Sequence, residues 1–328
     1  MIDLDSDAFR AAVLDWYGSE GRQLPFRGTA DPYLVLVSEA ILQQTQVSRG
    51  GPAWQVFVTR FPTVEALAAA SPAAVLRAWQ GLGYNRRAIY LQRTARIVVD
   101  ELAGRFPTTV AELERLPGVG PYTARAVASI AFGQSVGAVD TNVRRVIGRV
   151  VAGDANALAR AELQAIADRL AAVDRPGDWS HALMDLGSTV CRPRDPRCAV
   201  CPVRGHCRFA SELALGSAPA SSAAERDRPR TAAAGAPAGR SASGKRVARE
   251  RALPFERSTR WLRGRIVDRL REVDGSGWAT FDGPIGGHDR GAVLDAVRTL
   301  AGEGLAEVQG DTAAPPAPAS LRARLPLA

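Results

Sequence analysis

From residue 7 to about 212 apolar positions recur at spacings of three and four, with almost no alternation of period two. That period lays one apolar stripe along an α-helix and argues against strands. It predicts helices over 32–47, 63–70, 73–79, 86–102, 110–116, 121–132, 142–151 and 157–173, separated by short loops rich in Gly, Pro or Asp. An all-α domain over residues 1–212 follows. From 213 to 256 the composition falls to Ala, Ser, Pro, Gly and Arg, too little apolar surface to offset chain entropy, and a disordered linker is expected. It carries eight basic residues between Arg226 and Arg251 against Asp227 and Glu250, which suits either a phosphate backbone or a solvated spacer. Amphipathic patterning returns over 257–309 in RWLRGRIVDRLREV and RGAVLDAVRTLAGEGLAEVQ, the second broken at Gly304 before a short alternating run. Two or three helices with a β-ribbon predict a small α/β winged-helix-like module. Residues 310–328, containing DTAAPPAPAS, are expected to form a disordered tail.

Composition narrows the function classes. A chain of 328 residues with 46% hydrophobic content has enough apolar material for one large or two ordinary cores. The formal charge of +8 and pI near 10.0 favour nucleic acid over an anionic membrane surface as partner. No apolar run approaches a membrane span, and MIDLDSDAFRAAV has acids where a signal peptide has bases. A cytoplasmic, nucleoid-associated monomer is expected. Lys245 is the only lysine among 42 basic residues, so a side-chain amine is absent from the main domain.

All four cysteines fall together as Cys191, Cys198, Cys201 and Cys207, spaced C-x6-C-x2-C-x5-C. Clustering in a cytosolic chain argues for metal over disulfides. Only one tight pair is present, and the wide flanking gaps favour an iron-sulfur cluster of the 4Fe-4S kind over zinc, which spacing alone leaves open. In LPGVGPYTARA, Gly118 and Gly120 permit a tight turn and Pro121 suits the first helical position. Read as a nest, Gly118, Val119 and Gly120 present main-chain N–H groups to a phosphate; read blandly, they form an ordinary turn. A similar hairpin, WQGLGYNRRA, covers Trp79 to Ala88.

LPGVGPYTA, the segment VDTN and the cysteine spacing together resemble the helix-hairpin-helix DNA glycosylases of the endonuclease III superfamily, over about residues 7 to 212. Within it, DPYLVLVSEAILQQTQV and GLGYNRRA are similar to the MutY-type adenine glycosylases, which act on adenine mispaired with 8-oxoguanine or guanine in double-stranded DNA. The resemblance implies a six-helix barrel beside an iron-sulfur domain, with the active site in the cleft between them. It implies that Asp140 stabilises positive charge on the deoxyribose, although that residue also reads as a helix N-cap. Glu39, which by pattern alone would be a solvated helix residue, becomes the general acid for the departing adenine. Tyr122 occupies the place where lyase members carry their lysine, so strand cleavage is not expected. Asn142 matches a residue supporting the aspartate. Arg27, Leu42 and His181 match positions near the base, and Gln44 and Tyr84 match wedges that fill the gap of a flipped nucleotide. The chain departs from the family at Phe26, often Trp there, and at His181, commonly a carboxylate or amide. No Nudix-like signature follows residue 212, so discrimination of 8-oxoguanine from guanine is expected to be weaker or to come from elsewhere. The rival readings are a thymine or uracil glycosylase for G mismatches, against which Glu39 weighs, and a non-catalytic DNA-binding protein, against which the Glu39 and Asp140 pair weighs.

Overall fold

The computed structural model describes residues 4–216, 254–275, 277–309 and 321–327. Contacts divide the chain into two units, Met1–Arg226 and Asp227–Ala328. Residues 217–253 of the expected linker lie outside the described residues.

In the first unit the described helices are α1 (Ser6–Glu20), α2 (Pro32–Leu42), α3 (Val47–Arg60), α4 (Val64–Ala69), α5 (Pro72–Ala78), α6 (Arg86–Asp100), α7 (Val110–Leu113), α8 (Pro121–Phe132), α9 (Thr141–Ala152), α10 (Arg160–Leu170), α11 (Pro176–Asp185) and α12 (Arg208–Ala214). Local chemistry fixes many of their starts. Side chains of Asp5, Asp31, Thr63, Ser71, Thr109 and Asp140 accept first-turn N–H groups. Prolines at the starts of α2, α5, α8 and α11 give up an N–H that has no helical partner there.

Helices α2 to α8 pack among themselves around Val37, Ile41, Phe57, Leu67, Leu76 and Trp79. A second lobe joins α1 to α9–α12 through Phe9, Val146, Ile147, Leu163, Trp179 and Leu186. Phe9 meets Trp179 edge to face at 5.8 Å, a contact between helices more than 150 residues apart in sequence. Helix α8 packs on α11 and joins the lobes. The two-lobed, all-α architecture expected from the sequence is therefore present.

Two expectations need correction. The helix expected over 32–47 stops at Leu42, because Arg87 supplies donors to the end of α2: its Nη1 reaches the carbonyls of Ala40 at 2.6 Å, Ile41 at 3.1 Å and Gln43 at 2.6 Å. Gln44 then turns left-handed at φ 56° and α3 starts afresh. The disordered tail expected over 310–328 is the second. In the other unit, α13 (Thr259–Arg271), β1 (Ala279–Phe281), α14 (Arg290–Gly302) and β2 (Glu307–Gln309) are followed by β3 (Leu321–Arg324). That last strand lies between β1 and β2, antiparallel to both, with Ala323 opposite Ala279 and Val308. Alternation in LRARL buries Leu321, Ala323 and Leu325, an apolar set sufficient to hold the strand. Residues 310–320 lie outside the described residues. Among the described residues no helix is long and apolar enough to cross a membrane.

Candidate active site

Packing of α2 against α8 brings Glu39 to Tyr122, and the N-terminus of α9 brings Asp140 beside both. Glu39 is only 7% exposed. Burial pushes its carboxyl up to about 7; the Tyr122 hydrogen bond opposes that and the nearby Asp140 charge adds to it. A carboxyl in that state holds a proton near neutrality and is able to deliver it. Burial likewise drives the Tyr122 hydroxyl well above its ordinary range, so it stays a neutral donor, with Met184 Sδ at 3.6 Å.

Asp140 caps α9: its Oδ1 accepts from Val143 N at 2.7 Å and its Oδ2 from Asn142 Nδ2 at 2.8 Å. Burial raises its carboxyl, and the donors of Val143 and Asn142 with the charge of Arg145 oppose that rise and favour the anion. The two readings of this aspartate, cap and reactive carboxylate, coincide in one side chain. Asn142 is oriented in turn, because its Oδ1 accepts from Arg145 Nη2 at 2.8 Å. Arg145 also donates to the carbonyls of Gly187 at 2.6 Å and Cys191 at 2.7 Å. Gly187 sits so close that a Cβ there would meet Asn142 Cβ at 2.6 Å. Arg145 is thus a buried cation whose charge is spread over carbonyls. Arg145→Met is expected to lower unfolding stability by about 2–4 kcal/mol, read from denaturant melts, because it leaves those acceptors buried without donors.

Arg27 belongs to an ion triad whose other members, Asp185 and Arg22, sequence reasoning missed. Asp185 is fully buried and accepts from Arg22 N at 2.9 Å and Nε at 2.8 Å, and from both Nη atoms of Arg27 at 2.7 Å each. Burial alone would raise the Asp185 carboxyl, but these donors overcome it and hold the group below its ordinary range. Arg27 also lies over the Tyr17 ring at 5.7 Å. Burial pushes the neighbouring His181 down to about 4, and the Arg27 charge pushes the same way, so the imidazole is neutral at physiological pH. Glu39, Tyr122, Asp140, Asn142, Arg27 and His181 therefore belong to one neighbourhood. Leu42 stands one turn beyond Glu39 on α2, where its Cδ2 approaches Gly50 so closely that a Cβ would sit 2.7 Å away.

The hairpin before α8 uses its glycines for different reasons. Gly118 has φ +77° and lies against Tyr90, where a Cβ would come within 2.7 Å. Gly120, at φ −95°, needs no special conformation; a Cβ there would face open space beside the first N–H groups of α8. Val119 between them is buried and anchors the turn. Gln44 and Tyr84 lie in a different place, at the ends of two loops, and both are left-handed, with φ of 56° and 46°. Strain of that kind in a side-chain-bearing residue costs about 1 kcal/mol or more and gathers at working positions.

The four cysteines line one cavity with Val146, Leu186, Val203 and Phe209. Among the described residues no group of three His, Cys, Asp or Glu side chains converges on a single metal position. Four thiols around one cavity are a donor set of the kind that holds a metal centre. Arg149 closes the cavity: it reaches Cys191 Sγ at 3.5 Å and the carbonyls of Arg192 at 2.8 Å and Pro193 at 3.2 Å, and covers the Phe209 ring at 4.8 Å. One helix, α9, therefore carries Asp140 at its cap, then Asn142, Arg145 and Arg149 toward the cysteines.

Residues 37–171 match the family model described as HhH-GPD superfamily base excision DNA repair protein. The chain is 42% identical over 262 residues to the adenine DNA glycosylase of Mycolicibacterium smegmatis, covering 79% of each protein. It is 46% identical over 213 residues to the human adenine DNA glycosylase, 61% of this chain and 39% of that one. Among solved structures, a thermostable thymine-DNA glycosylase superposes with TM-score 0.59 at 29% identity, over 63% of this chain and 97% of its own. An endonuclease III–DNA covalent intermediate superposes with TM-score 0.54 at 22% identity, over 64% of this chain and 99% of its own, a likeness of fold.

Proposed function

The chain belongs to the HhH-GPD superfamily of base excision DNA repair proteins, and from that membership we propose that it is an adenine DNA glycosylase acting on adenine mispaired with 8-oxoguanine or guanine. The observation that carries this reading is the pairing of a protonatable buried carboxyl, Glu39, with a hydrogen-bonded carboxylate, Asp140. Adenine is a poor leaving group, and Glu39 supplies the proton its ring needs to depart. Asp140 faces the sugar, where positive charge builds as the glycosidic bond breaks, and offsets that charge as carboxylates do in glycoside hydrolysis. Asn142 keeps the Asp140 carboxylate turned, and neutral Tyr122 orients Glu39. Arg27, Leu42 and His181 contact the base; Gly118, Val119 and Gly120 hold a phosphate through main-chain N–H groups. Gln44 and Tyr84 occupy the gap that the extruded nucleotide leaves.

Cys191, Cys198, Cys201 and Cys207 fit a 4Fe-4S cluster, which when bound would cross-link the basic loop at 191–207 for DNA contact. The protein works as a monomer on double-stranded DNA at the nucleoid.

Single-turnover assays on duplexes with adenine opposite 8-oxoguanine or guanine, and with thymine or uracil opposite guanine, test the proposal. Adenine is expected to be released, with strand breaks only after alkali, because Tyr122 stands where a lyase places lysine and Lys245 lies far along the chain. Release of thymine or uracil alone would overturn the reading in favour of a mismatch-pyrimidine glycosylase.

A further inference from the structure

Gln44 and Tyr84 stand on separate loops, and one guanidinium holds both. Arg87 Nη1 donates to the carbonyl of Gln43 at 2.6 Å, and Arg87 Nη2 to the carbonyl of Gly83 at 3.2 Å. Each acceptor belongs to the residue immediately before a left-handed side chain. The same group extends to Ala40 and Ile41 in the last turn of α2, which leads into the first loop, and to Leu82, at 3.1 Å, on the second. The guanidinium also lies over the rings of Trp79 at 5.3 Å and Tyr84 at 5.5 Å. Trp79 is fully buried and donates its Nε1 to the same Gly83 carbonyl at 3.0 Å, which ties the assembly to the core.

We propose that Arg87 is the positioning residue of the base-extrusion step: it locks Gln44 and Tyr84 into one pre-assembled wedge of fixed spacing. The inference rests on the glycosylase reading for its substrate, duplex DNA with an extruded base. Neither loop has a strand ladder to hold its backbone, and both residues adopt a left-handed φ that costs a side-chain-bearing residue energy. A planar fork is required for this task. Its two Nη atoms sit at a set separation and point along set directions, so binding both carbonyls fixes the distance between the loops. An ammonium of equal charge is a single point on a flexible stem and binds one loop or the other. Pre-assembly matters because unstacking a base costs a few kcal/mol, and a wedge already in shape spends none of its contact energy on ordering itself.

The test uses the full chain with Glu39→Gln to block chemistry and a duplex carrying 2-aminopurine at the target position. Stopped-flow fluorescence at saturating protein reads extrusion, and anisotropy of an undamaged duplex reads binding. Arg87→Lys is expected to slow extrusion at least about 10-fold while changing duplex affinity less than about 3-fold, since phosphate attraction depends on charge, which lysine retains. Unchanged extrusion, or loss of extrusion and binding in equal proportion, overturns the proposal. If Arg87→Lys proves too unstable to purify, Arg87→Gln decides it, because its amide can donate to one loop carbonyl but does not span both. It must show the same selective loss of extrusion; a shared loss of binding refutes the wedge. Failure of wild-type protein to release adenine would overturn the glycosylase reading and leave this extrusion measurement intact.

Discussion

Glu39→Gln is expected to lower the single-turnover rate of adenine release by at least about 10³-fold, the scale on which general acids contribute, and to make the protein more stable. The two effects share one cause. The Glu39 carboxyl is raised to about 7 by burial, whereas in the unfolded chain it titrates near its ordinary 4.5. Its folded form binds a proton more tightly, so stability falls as pH rises from about 4.5 through 7, where the buried group is forced to ionise. Glutamine never ionises. At pH 8 the variant should gain about 2–3 kcal/mol, and below about pH 4.5 the gain should vanish, readable as converging melting curves. The wild-type rate should fall as pH climbs through about 7, because the proton-bearing form is the active one. An inactive variant with no pH-dependent gain in stability would mean that Glu39 is solvated and that its proton comes from elsewhere.

Asp140→Asn should cost at least about 10³-fold in rate with little change in duplex affinity. The substitution removes the negative charge, and it also breaks the relay behind it. Asn142 Nδ2 donates to Asp140 Oδ2 and cannot flip to accept, since its own Oδ1 is held by Arg145. An amide at 140 either sets nitrogen against nitrogen or turns away and gives up the cap on Val143. A stability loss of about 1 kcal/mol is expected from the weakened cap. Asp140→Glu, which restores charge but not reach, should remain slow. Recovery of the wild-type rate in that variant would show that charge alone, without the cap geometry, is enough.

Much of this was legible before the structure. Apolar spacing located the helices because capping residues and prolines agree with it at Asp31–Pro32, Ser71–Pro72 and Gly120–Pro121. That the four cysteines meet at one cavity was legible from their clustering in sequence. The break after Leu42 was not, since the apolar stripe runs on through Val47 and the cause lies in Arg87, distant in sequence. Leu321–Arg324 escaped because four alternating residues carry little weight after a run of alanine and proline. Asp185 escaped for another reason: an acid on a helix reads as solvated, and its partners Arg22 and Arg27 lie about 160 residues earlier. Arg145 and Arg149 left a usable trace, for they interrupt the apolar face Val143, Val146, Ile147 and Val150 at helical spacing. A cation inside such a stripe must find acceptors there, and both do.

The cysteine-bearing lobe begins with α1 and ends with α12, while α2 to α8 fold among near neighbours between them. During synthesis Phe9 and Val13 must therefore wait, uncovered, until Trp179 has left the ribosome. Glu39 belongs to the early lobe and Asp140 to the cap of a helix in the late one. A nascent chain holds its acid long before its anion, so a chain released before residue 140 is expected to lack base-removing chemistry.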